Sequence, residues 1–333
     1  MPSSAYRFGV RRALFFAIGC GLFAYLLIRL GPGEILSLLL RIGWGFLLII
    51  VIYTGYNLVR ANALAKCIAI EERSSYWDLI EIRLMGEAVQ YLTFTGPFLA
   101  EPAKALLLRN RGLRTTHAFA ATISEYLIYT FTSAAMAVVG LIYLVHNFEL
   151  SRSVAIAARI AIYIAGIFLT AAVVAIVGRI YLIGSIVNGV GKLPGIGSRL
   201  RVDETGLLET ENLLFEVLRA RPWQFLSIVA TEFVAQALLV LELFVLLRAT
   251  GEPFPLSRPF LIESATKFIS MGFFFIPGQV GASEALYALI SKAVGLTASV
   301  GFSLALARRL RSLLVAGAGV IVLARCSRRA SAE

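Results

Sequence analysis

The sequence is poor in charge, in cysteine and in histidine, and each shortage excludes a class of protein. Only 15% of the 333 residues are charged, whereas a soluble globular domain carries about a quarter. The three cysteines are too few and too scattered for a disulfide framework or a metal site. The two histidines stand apart, so neither a metal centre nor a catalytic triad can be assembled. No nucleotide-binding glycine pattern follows a strand. We therefore predict no cofactor and no enzymatic activity.

What the chain has instead is hydrophobicity. Hydrophobic residues make up 59% of it, and the mean hydropathy is +0.82. Apolar runs of about 20 residues, long enough to cross the hydrocarbon core of a bilayer, recur along its whole length. The net charge of +11 is better explained by cytoplasmic loops that face anionic lipid than by nucleic acid. The sequence therefore predicts a polytopic membrane protein whose partners are membrane lipids.

Six segments are predicted to be full transmembrane helices, at about 8–30, 44–64, 116–144, 155–178, 223–249 and 297–325. Two further segments, at about 79–110 and 258–292, are apolar but contain proline, glycine and glutamate. Non-helical backbone cannot face lipid unless protein or water covers it. Each interrupted segment therefore either crosses the membrane once or enters and returns on one side as a re-entrant hairpin.

The distribution of basic residues favours the hairpins, because short cytoplasmic loops are enriched in Lys and Arg. With two hairpins and a cytoplasmic N-terminus, most basic residues outside the spans lie on the cytoplasmic side, with Arg60 and Arg83 among them. A single crossing by segment 79–110 would place the basic loop 104–114 outside. We predict a bacterial inner-membrane protein with both termini in the cytoplasm.

The second half of the chain resembles the first. Sliding the sequence so that Glu101 falls on Glu284 also pairs Gly112 with Gly295. Three spans separate the two hairpins, so the second hairpin enters from the opposite side. The result is an inverted repeat, as in many transporters. We predict one integral-membrane domain over residues 1–333, all-α, with six spans and two re-entrant hairpins. Repeat 1 covers about 44–144 and repeat 2 about 223–325.

A polar connection at about 180–222 links the two repeats. It is predicted to be cytoplasmic and to contain an amphipathic helix. The apolar side of that helix would be formed by Leu207, Leu208, Leu213 and Leu214.

Both interrupted segments are predicted to start a helix in mid-membrane. Pro97 and Pro277 precede Glu101 and Glu284, and Pro102 suits the first position of a helix that begins after Glu101. A helix N-terminus has unsatisfied N–H groups and the positive end of the helix dipole, so it can bind an anion.

The second interrupted segment has the clearer turn. Gly278 and Gly281 would allow tight turns and a close approach of backbone, with Ser283 or Glu284 near the helix cap. For these flanking residues, capping inside the protein is the structural alternative to binding.

Ionisable residues inside spans are expensive and mark functional positions. Arg308 lies near the middle of the last span, and Arg311 shares its face three residues on. Two interpretations stay open. Arg308 could pair with Glu125 at the pseudo-twofold axis and hold the halves together, or Arg308 and Arg311 could bind phosphate through their guanidinium groups.

The other charged residues within spans are spaced for pairing. Glu232 and Gln236 share a helix face, whereas Glu242 needs a separate partner. Glu263 and Lys267 are spaced for an intrahelical ion pair.

The residues predicted to bind substrate flank the breaks or lie in the last span: Glu87, Glu101, Lys104, Gly278, Gly281, Ser283, Glu284, Arg308 and Arg311. A structural or coupling role is predicted for Glu125, Glu232, Glu263, Lys267, Pro97 and Pro277. No catalytic residue and no metal ligand is predicted.

The runs "GEAVQYLTFTGPFLAEPAKALLLRNRG" and "FFFIPGQVGASEALYALISKAVGL", with the arginines at 308–311, resemble the lysylphosphatidylglycerol synthase transmembrane-region family, also called the flippase-like domain family. The resemblance covers about residues 8–325. The basic cluster is also similar to that of the hopanoid-biosynthesis-associated branch. One departure lies at 124–129, where many relatives have an arginine and an aspartate and this chain has Glu125 and Tyr126.

The resemblance implies movement of a lipid or lipid-linked headgroup, anionic or of polyprenyl type, between leaflets by alternating access. In bifunctional members, aminoacyl transfer belongs to a separate soluble domain, and because the chain stops at Glu333 we expect that domain to be absent. Two alternatives stay open. One is a non-transporting scaffold that presents lipid to a biosynthetic enzyme, and the other is an integral-membrane lipid transferase.

Overall fold

The computed structural model describes residues 33, 42–69, 72, 74–93, 97–178, 180, 204–249, 251, 254–272, 279 and 281–329. Ten α-helices account for most of these residues, and no strand occurs among them. The predicted all-α fold is confirmed. The predicted first span, 8–30, lies outside the described residues, as do both chain termini.

Four helices form the first half of the described chain: α1 (Trp44–Cys67), α2 (Tyr76–Leu92), α3 (Pro97–Asn110) and α4 (Thr115–Asn147). Helix α5 (Arg152–Gly178) follows, then the short α6 (Glu204–Phe215), which continues into a π-helical turn at Glu216–Ala220. Four more helices form the second half: α7 (Pro222–Ala249), α8 (Ser257–Gly272), α9 (Ala282–Ala293) and α10 (Ala298–Arg329).

Helices α1, α4, α5 and α7 are long and apolar enough to cross a membrane. With 24 residues or more and about 1.5 Å of rise per residue, each exceeds the roughly 30 Å of hydrocarbon. They match the predicted spans 44–64, 116–144, 155–178 and 223–249. Helix α10 has the length, at 32 residues, but it contains the three arginines 308, 309 and 311. The chain is therefore a membrane protein.

Both interrupted segments are pairs of shorter helices. In the first half, α2 ends at Leu92 and α3 begins at Pro97. In the second half, α8 ends at Gly272 and α9 begins at Ala282. Within each pair the two helices pack against one another. The predicted breaks are confirmed.

The start of α3 differs from the prediction. The helix begins at Pro97, which leaves Glu101 and Pro102 inside it, so a start after Glu101 is wrong. Pro97 has no N–H to leave unsatisfied and its φ is already helical, so it takes the first helical position. Helix α9 begins after Gly281, whose φ of 83° favours glycine.

In each half, the second helix packs against a long helix of the other half. Helix α2 lies on α10, helix α8 lies on α4, and α1 packs along α7. A glycine permits each of the first two contacts. A Cβ on Gly140 of α4 would collide with Ser264 of α8, and a Cβ on Gly319 of α10 would collide with the Leu84 carbonyl of α2.

The apolar core consists mainly of two clusters, one in each half. The first is built from α1 to α4 and is closed by α6, and the second from α7 to α10 with the ends of α1, α4 and α5. Helix α5 contributes only four buried residues, all alanines. Its large side chains, including Ile160, Tyr163 and Ile167, are exposed. An exposed apolar face of this length suits contact with lipid.

The predicted amphipathic helix is present as α6, but its apolar side is not the predicted one. Leu214 is buried, whereas Leu208 is half exposed. The buried stripe instead includes Thr210, Glu211 and Leu218, because positions three, four and seven apart share a helix face.

Candidate functional site

Buried charge is the main feature of the interior. Seven basic and seven acidic side chains of the described helices form ion pairs in which each side chain is less than 20% exposed: Arg60, Arg83, Lys104, Lys267, Arg308, Arg309, Arg311, Glu87, Glu101, Glu125, Glu232, Glu242, Glu263 and Glu284. They divide into two clusters and one separate pair. Charges in a membrane interior persist only where partners neutralise them.

The first charge cluster is centred on Glu125 of α4, which is fully buried. Its carboxylate pairs with Arg60 of α1 and, at 3.3 Å each, with Arg83 of α2 and Lys104 of α3. Lys104 reaches this position because Gly86 lies beside its side chain. A Cβ on Gly86 would lie 2.7 Å from the Lys104 Cγ atom.

Three more acidic residues complete the first charge cluster. The Lys104 ammonium lies 2.8 Å from Glu101, and Arg83 donates to Glu87 at 3.1 Å. Glu232 of α7 lies 3.4 Å from the Arg60 Nε atom. The first charge cluster therefore consists of Arg60, Arg83, Glu87, Glu101, Lys104, Glu125 and Glu232.

The second charge cluster is centred on Arg308 of α10. Its guanidinium lies 2.6 Å from Glu263 of α8 and 3.2 Å from Glu242 of α7. Arg311 donates to both Glu242 oxygens at 2.5 and 2.6 Å. Lys267 lies 3.2 Å from Glu263, which confirms the predicted intrahelical pair. The second charge cluster is therefore Glu242, Glu263, Lys267, Arg308 and Arg311.

Tyrosines connect the two clusters. The Tyr53 hydroxyl donates to Glu87 at 2.9 Å, while Arg311 stacks on the Tyr53 ring at 3.6 Å. Tyr129 has Arg60 on its ring at 3.7 Å and Lys267 at 5.6 Å. Such cation–π contacts add attraction where water is excluded. The charged groups thus form one continuous polar region through both halves.

The separate pair, Arg309 with Glu284, lies at the start of α9. The Gly281 N–H donates to Glu284 at 2.8 Å, so Glu284 caps its own helix, which is the structural alternative that the sequence left open beside binding. Arg309 donates to Glu284 at 2.9 Å, to the Ser283 hydroxyl at 2.9 Å and to the Gln279 carbonyl at 3.1 Å. An arginine from α10 therefore holds the turn that starts α9.

Two buried hydroxyls at the end of α2 have no hydrogen-bond partner in the described part of the chain. They belong to Tyr91 and Thr93. Tyr91 lies close enough to Arg309, Arg311 and Glu284 to interact electrostatically with them. A buried hydroxyl without a partner is unfavourable unless something else binds it. The end of α2 at Tyr91 therefore lies near Glu284 at the start of α9.

Exposure separates the charged residues into two classes. The side chains of Glu125, Glu232 and Glu242 are 0% exposed, which suits a structural role. Those of Glu87, Glu101, Glu284 and Arg308 are 19%, 12%, 11% and 13% exposed. These four were predicted to bind substrate: Glu87, Glu101 and Arg308 are the most exposed residues of the two charge clusters, and Glu284 belongs to the separate pair.

The two clusters carry opposite signs at comparable places. Arg60 and Glu242 each lie about two turns before the end of their helices, α1 and α7. Glu125 and Arg308 each lie about three turns after the start of α4 and α10. Arg83 and Glu87 pair within α2 in the way that Glu263 and Lys267 pair within α8.

The predicted ion pair between Glu125 and Arg308 is wrong. Glu125 is held by three cations of the first half, and Arg308 by two acids of the second half. Placing Arg60 and Arg83 in cytoplasmic loops is also wrong, because both are buried in the first charge cluster. Pro277 and Gly278 lie outside the described residues.

The sequence-based reasoning missed four important residues. They are Arg60, Arg83, Arg309 and Tyr53. A signal for Arg60 was available, because it falls inside the predicted span 44–64, where a charge marks a partnered residue. Lys104 is more deeply buried than a binding residue would be, with a side chain 3% exposed. Among the described residues no group of three potential ligands could hold a metal ion.

Comparison with known families identifies the chain. The model of the lysylphosphatidylglycerol synthase transmembrane region matches residues 13–319, nearly the whole sequence. The chain belongs to this family. Comparison with the curated proteins and with the solved structures finds no match. Membership supports a membrane protein concerned with lipid, as the resemblance implied.

Proposed function

We propose that the protein moves an anionic or polyprenyl-type lipid, or a lipid-linked headgroup, between the leaflets of the membrane by alternating access. The observation that carries the proposal is the continuous buried polar region, in which Glu87, Glu101 and Arg308 are partly exposed, together with the partly exposed Glu284 of the separate pair. A structural ion-pair network alone would gain nothing from exposing four charged residues. A headgroup path needs charged groups that a ligand can reach.

The headgroup site, in this proposal, lies where the end of α2 meets the start of α9. Tyr91 and Thr93 supply hydroxyls that have no partner in the described part of the chain. Arg309 supplies a cation beside them, which is paired with Glu284 when no headgroup is bound. An acidic phosphate ester fits these donors, since arginine binds phosphate oxygens.

Alternating access follows from an inverted repeat in which α1–α4 correspond to α7–α10. The pattern of contacts supports this correspondence. Helix α2 packs on α10 as α8 packs on α4, and α3 packs on α4 as α9 packs on α10. The two interrupted segments would enter from opposite sides of a bacterial inner membrane as re-entrant hairpins, with both termini cytoplasmic and six full spans.

The proposal assigns no catalytic step to this chain. Its partners are membrane lipids, and a lipid-biosynthesis enzyme could supply or consume them. The family name refers to the transmembrane region of a synthase, which fits a part that binds or moves the lipid product.

The test is lipid movement in vesicles. The purified protein is reconstituted with a trace of fluorescent phosphatidylglycerol or polyprenyl phosphate, and a membrane-impermeant quencher reports the fraction of label in the outer leaflet over time. We expect faster exchange than in protein-free vesicles. Glu284→Gln removes the charge that orders the start of α9, and we expect it to slow exchange by about tenfold.

Glu209→Gln is the matched control. Glu209 pairs at 3.0 Å with Arg114 on an exposed surface, so the same chemical change there should leave exchange unaltered. A folded wild-type protein that moves neither lipid overturns the proposal. If it retains lipid through purification without moving it, the scaffold alternative replaces it. A Glu284→Gln variant as fast as wild type removes α9 from the site.

A further inference from the structure

Glu232 differs from every other carboxylate of the two charge clusters. It lies on α7, is fully buried, and neither carboxylate oxygen accepts a hydrogen bond from any described residue. Its nearest cation is Arg60, whose Nε atom is 3.4 Å away and makes no hydrogen bond within the described residues. The rest of that guanidinium is engaged, because Arg60 donates to Glu125 and, at 3.2 Å, to the Tyr56 hydroxyl.

The cations near Glu232 are paired with other carboxylates. The titratable groups that face it from α1, α2, α3 and α4 are Tyr56, Arg60, Cys67, Arg83, Lys104, Glu125 and Tyr129. Arg60, Arg83 and Lys104 all converge on Glu125. The charged residues of α8 and α10 meet α7 at Glu242, about 15 Å further along its axis. At the start of α7, Arg221 pairs with Glu216.

An ionised carboxylate without hydrogen bonds is strongly disfavoured in such an interior, whereas a protonated carboxyl is neutral and brings a donor. A hydrogen-bond acceptor for the protonated carboxyl lies one helical turn further along α7. The side-chain carbonyl of Gln236 has no hydrogen-bond partner in the described part of the chain. Its amide is already fixed by donating to Ser133 at 2.7 Å. Residues four apart face one another on a helix.

We propose that Glu232 binds the coupling proton of the lipid movement proposed above, so that one anionic headgroup travels with one proton. The inference rests on that proposed function. The charge balance of the buried network supports this proposal. The described buried network has seven acidic and seven basic side chains, so a proton on Glu232 leaves one positive charge in excess. A singly charged phosphate diester would then restore neutrality. Release of the proton on the other side would remove the excess charge and release the headgroup.

The first test measures the proton directly and needs no transport. Infrared spectra of the purified full-length protein are recorded near neutral pH for wild type and Glu232→Gln. The expected result is a carbonyl stretching band of a protonated carboxyl that is present in wild type and lost in the variant. Glu209→Gln, at an exposed carboxylate, should retain the band. If the wild-type spectrum minus the Glu232→Gln spectrum lacks the band, the inference is wrong.

The second test measures coupling. Vesicles with fluorescent phosphatidylglycerol receive a proton gradient of about one pH unit, for which coupling of one proton to one lipid allows about a tenfold difference in label between leaflets. We expect this accumulation in wild type and in Glu209→Gln. In Glu232→Gln the distribution should stay even. If Glu232→Gln fails to fold, Glu232→Asp keeps the carboxyl and should shift the infrared band.

The outcomes separate the two proposals. Wild-type transport that ignores the gradient overturns the proton coupling and leaves lipid movement in place. Accumulation that survives in Glu232→Gln places the coupling proton elsewhere. A wild-type protein that moves no lipid overturns the proposed function and with it the coupling, while the infrared band still decides whether Glu232 carries a proton.

Discussion

The first charge cluster is centred on an acid, and the second is centred on a base. Glu125 on α4 gathers three cations, whereas Arg308 on α10 gathers two carboxylates. The first and second helices of each half supply partners in both clusters, and in the first cluster Lys104 of α3 adds a third. The packing at this position therefore requires a central charge surrounded by charges of opposite sign, and the central charge can be of either sign.

The clusters also differ in how much depends on the central residue. Each of the three cations around Glu125 has a second acid: Glu232 for Arg60, Glu87 for Arg83 and Glu101 for Lys104. The acids around Arg308 each have a second cation, Arg311 for Glu242 and Lys267 for Glu263. Loss of Glu125 breaks three ion pairs and loss of Arg308 breaks two, so the first cluster should be damaged more than the second.

Glu125→Gln should have the largest effect on stability. It leaves three buried cations without their shared anion, and removing one partner of a buried ion pair costs about 3–5 kcal/mol. Denaturant unfolding in a mild detergent, followed by helix content, measures the change. A loss below about 1 kcal/mol would show that the cluster is neutralised by other groups.

Arg308→Gln should cost less, about 2 kcal/mol, because it breaks two ion pairs whereas Glu125→Gln breaks three. The same unfolding measurement applies. An effect larger than that of Glu125→Gln would reverse the comparison between the clusters and make the second one the main support of the fold.

The two glycine contacts between the halves provide the next comparison. Gly140→Ala and Gly319→Ala should each cost about 1–3 kcal/mol, because the added methyl group meets a neighbouring helix. Gly166→Ala on α5 is the control, since nothing lies within 4 Å of its added Cβ. It should be neutral or stabilising by up to about 1 kcal/mol. Equal melting temperatures for all three variants would contradict the close approach.

Tyr53→Phe should have the smallest effect, about 1 kcal/mol, because it removes one hydrogen bond to Glu87 and leaves the ring under Arg311. The informative readout is lipid exchange, since Tyr53 is the link between Glu87 and the second charge cluster. We expect slower exchange with nearly unchanged stability. An unchanged exchange rate would mean that the clusters work independently.

Local features of the fold were predictable from sequence, and the partners of the charges were not. Gly281 and the four-residue spacing of Glu263 and Lys267 act within one or two turns of chain, so their effects can be deduced directly. Arg60 and Glu125 are 65 residues apart, and only tertiary packing brings them together. Treating Arg60 as a loop residue failed because the basic-loop rule concerns charges in contact with water, whereas this arginine is buried with an acid.

The same limit explains the candidate site. Glu87, Glu101, Glu284 and Arg308 were found because a charge beside a helix break or within a span is conspicuous in an apolar chain. Arg309 was passed over because it faces away from Arg308 along α10, and the turn that it holds comes from a different helix. Glu232 was recognised as a candidate, but its lack of hydrogen bonds depends on neighbours that the sequence does not reveal.

The packing between the halves has a consequence for biogenesis. Helix α2 packs on α10, and α8 packs on α4. Helix α2 leaves the ribosome well before α10, so its contact with Gly319 can form only after the last helix has been synthesised. A chain truncated before Gly319 would leave the surface around Leu84 uncovered in the bilayer. Quality-control proteases that survey the membrane should therefore degrade such a fragment while sparing the complete polypeptide.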